Sequence, residues 1–288
     1  SIAKCQRLPV KDFEKQYKDH LSGFHQWEQK EHAEDWILYE DNIGPHLSID
    51  EVAISKGELY TVVTNKAAHG GKGALVAMVA GTKASDVVAV LTQIDKKRRA
   101  TVTEVTLDLS NAMDAITRAS FAQAEIVTDR FHVQQLVSEA VQEIRNRLRR
   151  AALKEETAAI LLAKKEKRTY QPTIYANGDT KKQLLSRSFY LLFKSSSQWT
   201  ARQQERATVL FREFPELAHA YHLTMSFRSC YEQKQTVQQA KIRLEQWYAK
   251  VEEEQIDAFT VVAESIRVHE ATILNYFMHR STNASAES

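Results

Sequence analysis

The feature that most constrains this chain is a strand-like run, His46-Leu47-Ser48-Ile49-Asp50-Glu51-Val52-Ala53-Ile54-Ser55, with two carboxylates in its middle. Aliphatic and β-branched residues suit a pleated, half-buried surface, and Asp is depleted there. Burying an unpaired carboxylate costs several kcal/mol, on the order of the penalties for stranded polar groups, unless a partner or a metal takes the charge. Asp50 therefore asks for a cation. Glu51 points to the opposite face by strand alternation and is expected to form an ion pair instead.

Two more strand runs follow, Glu58–Thr64 and Ala74–Ala80, with Asn65 and Gly70-Gly71 as turn formers, which makes a three-strand meander. A helix pattern opens at Lys83-Ala84-Ser85. A fourth strand run, Val102–Leu107, leads into Asp108. A helix from Ala112 to Ser120 then precedes a fifth run, Ala124–Thr128, which ends on Asp129-Arg130-Phe131-His132. The order β-β-β-α-β-α-β predicts an α/β fold with a mixed five-stranded sheet of the ribonuclease-H-like kind, in which the first strand lies beside the fourth. Asp50 and Asp108 then become neighbours. Two such carboxylates with a third from elsewhere suit a pair of Mg²⁺ or Mn²⁺ ions about 3.5–4 Å apart, the arrangement used for in-line phosphoryl transfer. The competing role for Asp108 is N-cap of the next helix, through Asp108-Leu109-Ser110-Asn111.

Residues 1–45 read as a helical linker or brace, with helices over Val10–Tyr17 and Leu21–His32 and a run Trp36–Tyr39 before Gly44-Pro45. His20, His25, His32 and Cys5 match no compact zinc-ligand spacing. Residues 46–132 form the catalytic core, completed by 280–288. From Val133 the period turns helical, and residues 133–279 predict an all-helical insertion. Its first helix buries a stripe of Val133, Leu136, Val137, Ala140, Val141, Ile144 and Leu148 and sends its arginines to the other face. Thr169–Thr180 reads as a loop. Helices are expected at Lys181–Lys194, Thr200–Phe214 with Thr200 as N-cap, Pro215–Tyr231, Thr236–Glu253 and Ile256–His279. Trp199, Tyr221, Phe227 and Trp247 are expected in its core. The small polar tail holds Glu287, a candidate third metal ligand should the chain return to the sheet.

The net charge of +2 does not by itself announce nucleic acid, but the basic residues cluster. Lys96-Lys97-Arg98-Arg99 forms one group. Arg145, Arg147, Arg149, Arg150 and Lys154 form another on a helix, which suits phosphate contacts. No apolar run approaches the ~18 residues that span a bilayer, so no membrane partner is expected. Cys5 and Cys230 form no ligand-spaced pair, which fits a reduced, cytoplasmic setting. Without an initiator Met, the chain reads as an internal piece of a longer protein.

Taken together, Ile49-Asp50-Glu51, Asp108, Asp129-Arg130-Phe131-His132, Pro215-Glu216-Leu217-Ala218-His219-Ala220-Tyr221, Ile273-Leu274-Asn275-Tyr276-Phe277 and Thr282–Glu287 resemble the catalytic region of the bacterial insertion-sequence transposases of the ISL-three family, of the DDE class. The resemblance implies a catalytic and metal-binding triad at Asp50, Asp108 and Glu287, holding two Mg²⁺ or Mn²⁺ ions. It also implies an accessory D-x-x-H pair at Asp129 and His132; of two readings of Asp129, a metal ligand in place of Glu287 or a hydrogen bond to His132 within one turn, the second is expected. The implied activity is DNA transposition: cleavage of transposon ends and strand transfer into target DNA, by a homo-oligomer on DNA, with Arg130 and the arginines at 145–150 as DNA contacts. Two other functions fit the same residues, a ribonuclease-H-like nuclease without strand transfer and a transposase-derived DNA-binding module without catalysis. Asn65 stands where the family often has an acid, and Ser288 where it has Gly; the family's N-terminal zinc-binding and helix-turn-helix region and its basic segment after the Glu have no match here.

Overall fold

Alternation of polar and apolar residues from Leu47 onward produces strands, and a computed structural model of the chain shows how they pair. It describes residues 9–54, 57–232 and 234–279. Glu287 lies outside the described residues. The chain divides between Ile126 and Val127 into two compact units.

The first unit is built on a mixed sheet. Strands β1 (Trp36–Leu38), β2 (His46–Ala53), β3 (Leu59–Asn65), β4 (Leu75–Ala80), β5 (Glu104–Leu107) and β6 (Glu125–Thr128) take the order β1-β4-β3-β2-β5-β6. The meander β2-β3-β4 is antiparallel, and β2 pairs with β5 in parallel, as the first strand run beside the fourth. The sheet has six strands rather than five. The additional one, β1, comes from the run Trp36–Tyr39 and pairs antiparallel with the outer edge of β4.

That edge also explains why no helix forms over Leu21–His32. Gln29 donates from Nε2 to Leu38 O (2.7 Å) and accepts from Leu38 N at Oε1 (2.6 Å), so its amide does for the exposed edge of β1 what a further strand would do. His32 stacks on Trp36 with ring centroids 3.5 Å apart. Ahead of this lie α1 (Val10–Gln16), a π-helical turn at Tyr17–Leu21 and a short 3₁₀ turn at Phe24–Gln26.

Helices α2 (Ala84–Leu91), α3 (Lys96–Arg99) and α4 (Asn111–Ser120) complete the unit. Leu47, Ile49, Val63, Val105 and Leu107 from the sheet share one core with Val87 and Leu91 of α2 and Met113 and Ile116 of α4. Fully burying each of these side chains is worth about 1.5–3 kcal/mol. This burial decides which way the strands face, and it sends Ser48 and Asp50 of β2 and Thr106 of β5 to the other side.

The second unit is helical: α5 (Arg130–Lys165), α6 (Lys181–Arg187), α7 (Phe189–Leu192), α8 (Ala201–Glu213), α9 (Pro215–Glu232), α10 (Val237–Glu254), α11 (Asp257–Val268) and α12 (Glu270–His279). At 36 residues α5 is the longest, about 54 Å at 1.5 Å per residue. Thr180, Thr200 and Thr236 each cap a helix through a reciprocal box with the Gln three residues on. The expected helices at Lys181–Lys194 and Ile256–His279 are each broken, at Ser188 and at His269. Trp247, Phe227 and Tyr221 are buried as expected, and Trp199 is half-buried. Trp247 packs against Phe227 at 4.9 Å between ring centroids, and its indole N–H donates to Leu223 O. Among the described residues, no helix is long and apolar enough to cross a membrane.

Candidate active site

The parallel ladder between β2 and β5 pairs His46 with Glu104, Leu47 with Val105 and Ser48 with Thr106. Continued for two residues, that register sets Asp50 opposite Asp108, with strand spacing of about 4.8 Å. Because Ile49 and Leu107 are buried in the core, both carboxylates follow Ser48 and Thr106 onto the opposite face. Each is half-buried. Asp50 Oδ1 accepts from Glu51 N at 2.8 Å, which helps to orient that carboxylate. Glu51 is exposed. Asp108 is not the cap of the following helix: the N-cap residue of α4 is Ser110, and its side chain makes no capping bond.

The same face holds a polar group that sequence reasoning missed. Lys66, just past the end of β3, donates from Nζ to Thr106 Oγ1 (2.7 Å) and Glu104 Oε1 (3.3 Å). Thr106 and Glu104 are buried. The visible signal was the spacing Glu104, Thr106, Asp108 along one strand; nothing in the sequence pointed to Lys66 as the partner.

Asn65 has a role that an acid would not fill. Its Nδ2 donates to Asn42 O (2.9 Å), while its Oδ1 accepts from Ala67 N (3.0 Å) and caps the turn at Lys66–Ala68. It lies so close to Gly44 that a Cβ built there would meet the amide at 2.7–2.9 Å.

Asp129 and His132 belong to the second unit, at the start of α5. Asp129 is the N-cap residue and is buried. His132 Nε2 lies 4.0 Å from Asp129 Oδ2, within ion-pair range and too far for the expected hydrogen bond. The His132 ring meets Phe131 edge to face at 5.7 Å. Arg130 lies over the Tyr276 ring at 5.8 Å.

The arginines of α5 are not equivalent. Arg145 is buried: its guanidinium donates to Gln142 Oε1 (2.6 Å), Leu185 O (2.9 Å) and Asn146 Oδ1 (2.8 Å) and faces the Phe189 ring. Burial, followed by the charge of Arg149, lowers its pKa. It joins α5 to α6, and as a DNA contact it is set aside. Arg147, Arg149 and Arg150 are exposed. Arg147 pairs with Glu216, Arg149 donates to Ser186 Oγ, and Arg150 donates to Asn146 O.

Paired carboxylate oxygens suit hard divalent cations. Among the described residues no group of three or more His, Cys, Asp or Glu that could hold a metal ion is assembled. A family model described as transposase, of the ISL-three DDE type, matches residues 47–288. No curated protein and no solved structure matches the chain.

Proposed function

Since the chain belongs to the ISL-three DDE transposase family, we propose that its first unit is a ribonuclease-H-like catalytic core and that Asp50, Asp108 and Glu287 hold two Mg²⁺ or Mn²⁺ ions for cleavage and joining of DNA. The observation that supports this reading is the β2/β5 register, which pairs Ser48 with Thr106 and, continued for two residues, sets Asp50 opposite Asp108. The order of the five predicted strands, β4-β3-β2-β5-β6, supports the ribonuclease-H-like assignment.

When bound, divalent cations supply Lewis-acid activation of the attacking oxygen and stabilise charge on the leaving one. The carboxylates bind and orient; they need not transfer protons. In the first reaction water attacks a phosphodiester at the transposon end, the bond from phosphorus to the 3′-oxygen breaks, and a 3′-hydroxyl is freed. In the second, that hydroxyl attacks a target phosphodiester and displaces a target 3′-oxygen, so one ester bond forms as another breaks. Arg147, Arg149 and Arg150 on the exposed side of α5, together with Arg130, would neutralise phosphates of the transposon end, with a second copy of the chain on the same DNA. Asp129 and His132 are an accessory pair in the helical unit.

The test is an assay of the full-length protein on DNA carrying the element's own ends and a target. Wild type is expected to cleave and join in Mg²⁺. Asp50→Ala and Asp108→Ala should each lose both activities and keep DNA binding. Cleavage retained by either variant overturns the assignment, and wild-type cleavage without joined product makes the chain a nuclease.

A further inference from the structure

We propose that Lys66 is a positioning residue for the carboxylate pair, holding the end of β5 so that Asp108 stays alongside Asp50. This rests on the carboxylate site proposed above. The two acids are held differently by the sheet. Asp50 lies inside β2 and is registered by β3, where it pairs with Val62, and that ladder continues to Ala53 and Leu59. Asp108 follows the last residue of a four-residue strand whose pairing with β2 ends at Ser48 and Thr106. The ladder between β2 and β5 therefore stops short of Asp108, and β6 flanks β5 on its other side.

Lys66 acts at that last rung. Its ammonium reaches from the end of β3 across β2 to Thr106 Oγ1 at 2.7 Å and Glu104 Oε1 at 3.3 Å, two points on the face of β5 that also carries Asp108. The side chain is only 14 % exposed and that of Glu104 4 %, so neither is free to change rotamer in solvent. The base of Lys66 is held too, through Asn65, which caps its turn and ties it to Asn42. A buried Lys–Glu pair is weak evidence of added stability, since apolar residues of similar volume often serve a fold as well. What the pair supplies is direction: it ties the face of β5 that carries Asp108 to the turn after β3.

Calorimetric titration of the full chain with Mn²⁺, alongside thermal melting, tests this. Asp50→Ala should lose the binding. The double variant Lys66→Met/Glu104→Gln, which removes both charges of the pair, should bind Mn²⁺ about tenfold more weakly, the low end of what loss of an outer supporting residue costs. Its melting temperature should stay near wild type. Lys66→Arg, which keeps a charged donor at this position, should bind Mn²⁺ as wild type does. Thr106→Val, nearly isosteric, should weaken binding in the same direction and decides the matter if the double variant does not fold. Affinity unchanged in Thr106→Val, or in a folded double variant, overturns the role of Lys66. Binding that survives Asp50→Ala overturns the carboxylate site and the positioning role with it.

Discussion

Asp179 is a buried carboxylate that ties the loop before α6 to two helices, and replacing it with Ala should cost about 3 kcal/mol, the low end for breaking a buried ion pair. The magnitude follows from its partners. Arg206 Nε donates to Oδ2 at 2.8 Å, Arg187 pairs with Oδ1, and Asn177 Nδ2 donates to Oδ2 at 2.8 Å. Arg206 is only 19 % exposed and would be left with a poorly hydrated charge, whereas Arg187 is 53 % exposed and re-solvates easily, which keeps the cost from the top of the range. At about 2–4 °C per kcal/mol for a unit of this size, the helical unit should melt about 6–12 °C lower. Burial pushes the Asp179 carboxyl upward, but the hydrogen bonds and charges of Arg206 and Arg187 outweigh it, and the net pKa is lowered. With the folded value below the unfolded value of about 3.9, the contribution is fully present above that pH and is lost as pH falls through the folded value. Thermal and urea melts of wild type and Asp179→Ala, followed by far-UV circular dichroism, should show a constant gap from pH 7 to 5 that narrows below about pH 4. A gap under about 1 kcal/mol at neutral pH, or one that does not narrow in acid, would refute the argument.

The arginines of α5 should separate by assay. Arg145→Ala should cost about 2–4 kcal/mol through the stranded acceptors of Gln142 and Leu185, read by urea melts. Arg150→Ala should leave stability within about 0.5 kcal/mol and reduce the salt slope of DNA binding by about 1, read by titration at several salt concentrations. Asn65→Asp removes the donor to Asn42 O and sets two oxygens face to face; melts should show a loss of about 1–3 kcal/mol, and a stabilised variant would argue against the structural role of Asn65.

Much of this architecture was legible in the chain. Strict alternation through Leu47–Asp50 and Val105–Asp108 marks strands with one buried face, because any slip by one residue would exchange the apolar and polar faces. That pattern was enough to select Asp50 and Asp108 and to predict their adjacency. Helical spacing from Val133 onward marked α5, and Thr200 announced its capping box, because both are local rules. Glu287 was a candidate from its place in the polar tail, and the family resemblance gave it a role in the triad.

What escaped the sequence depends on contacts between distant segments. Trp36–Leu38 became a sixth strand because β4 offered it an edge, and Gln29 left the expected helix to satisfy that strand's other side. Arg145 shares the composition of its neighbours, yet four residues after Val141 it stands on the buried stripe of α5, where Leu185 of α6 supplies an acceptor. Lys66 is an unremarkable lysine after a strand until β2 and β5 pair in parallel and bring Thr106 and Glu104 within its reach. The sequence by itself determined the periods, the caps and the two acids of the strands, since these follow from the backbone geometry of each segment. Only the tertiary structure decided which cations are buried and which strand end they hold, since electrostatic partners are chosen by distance in space.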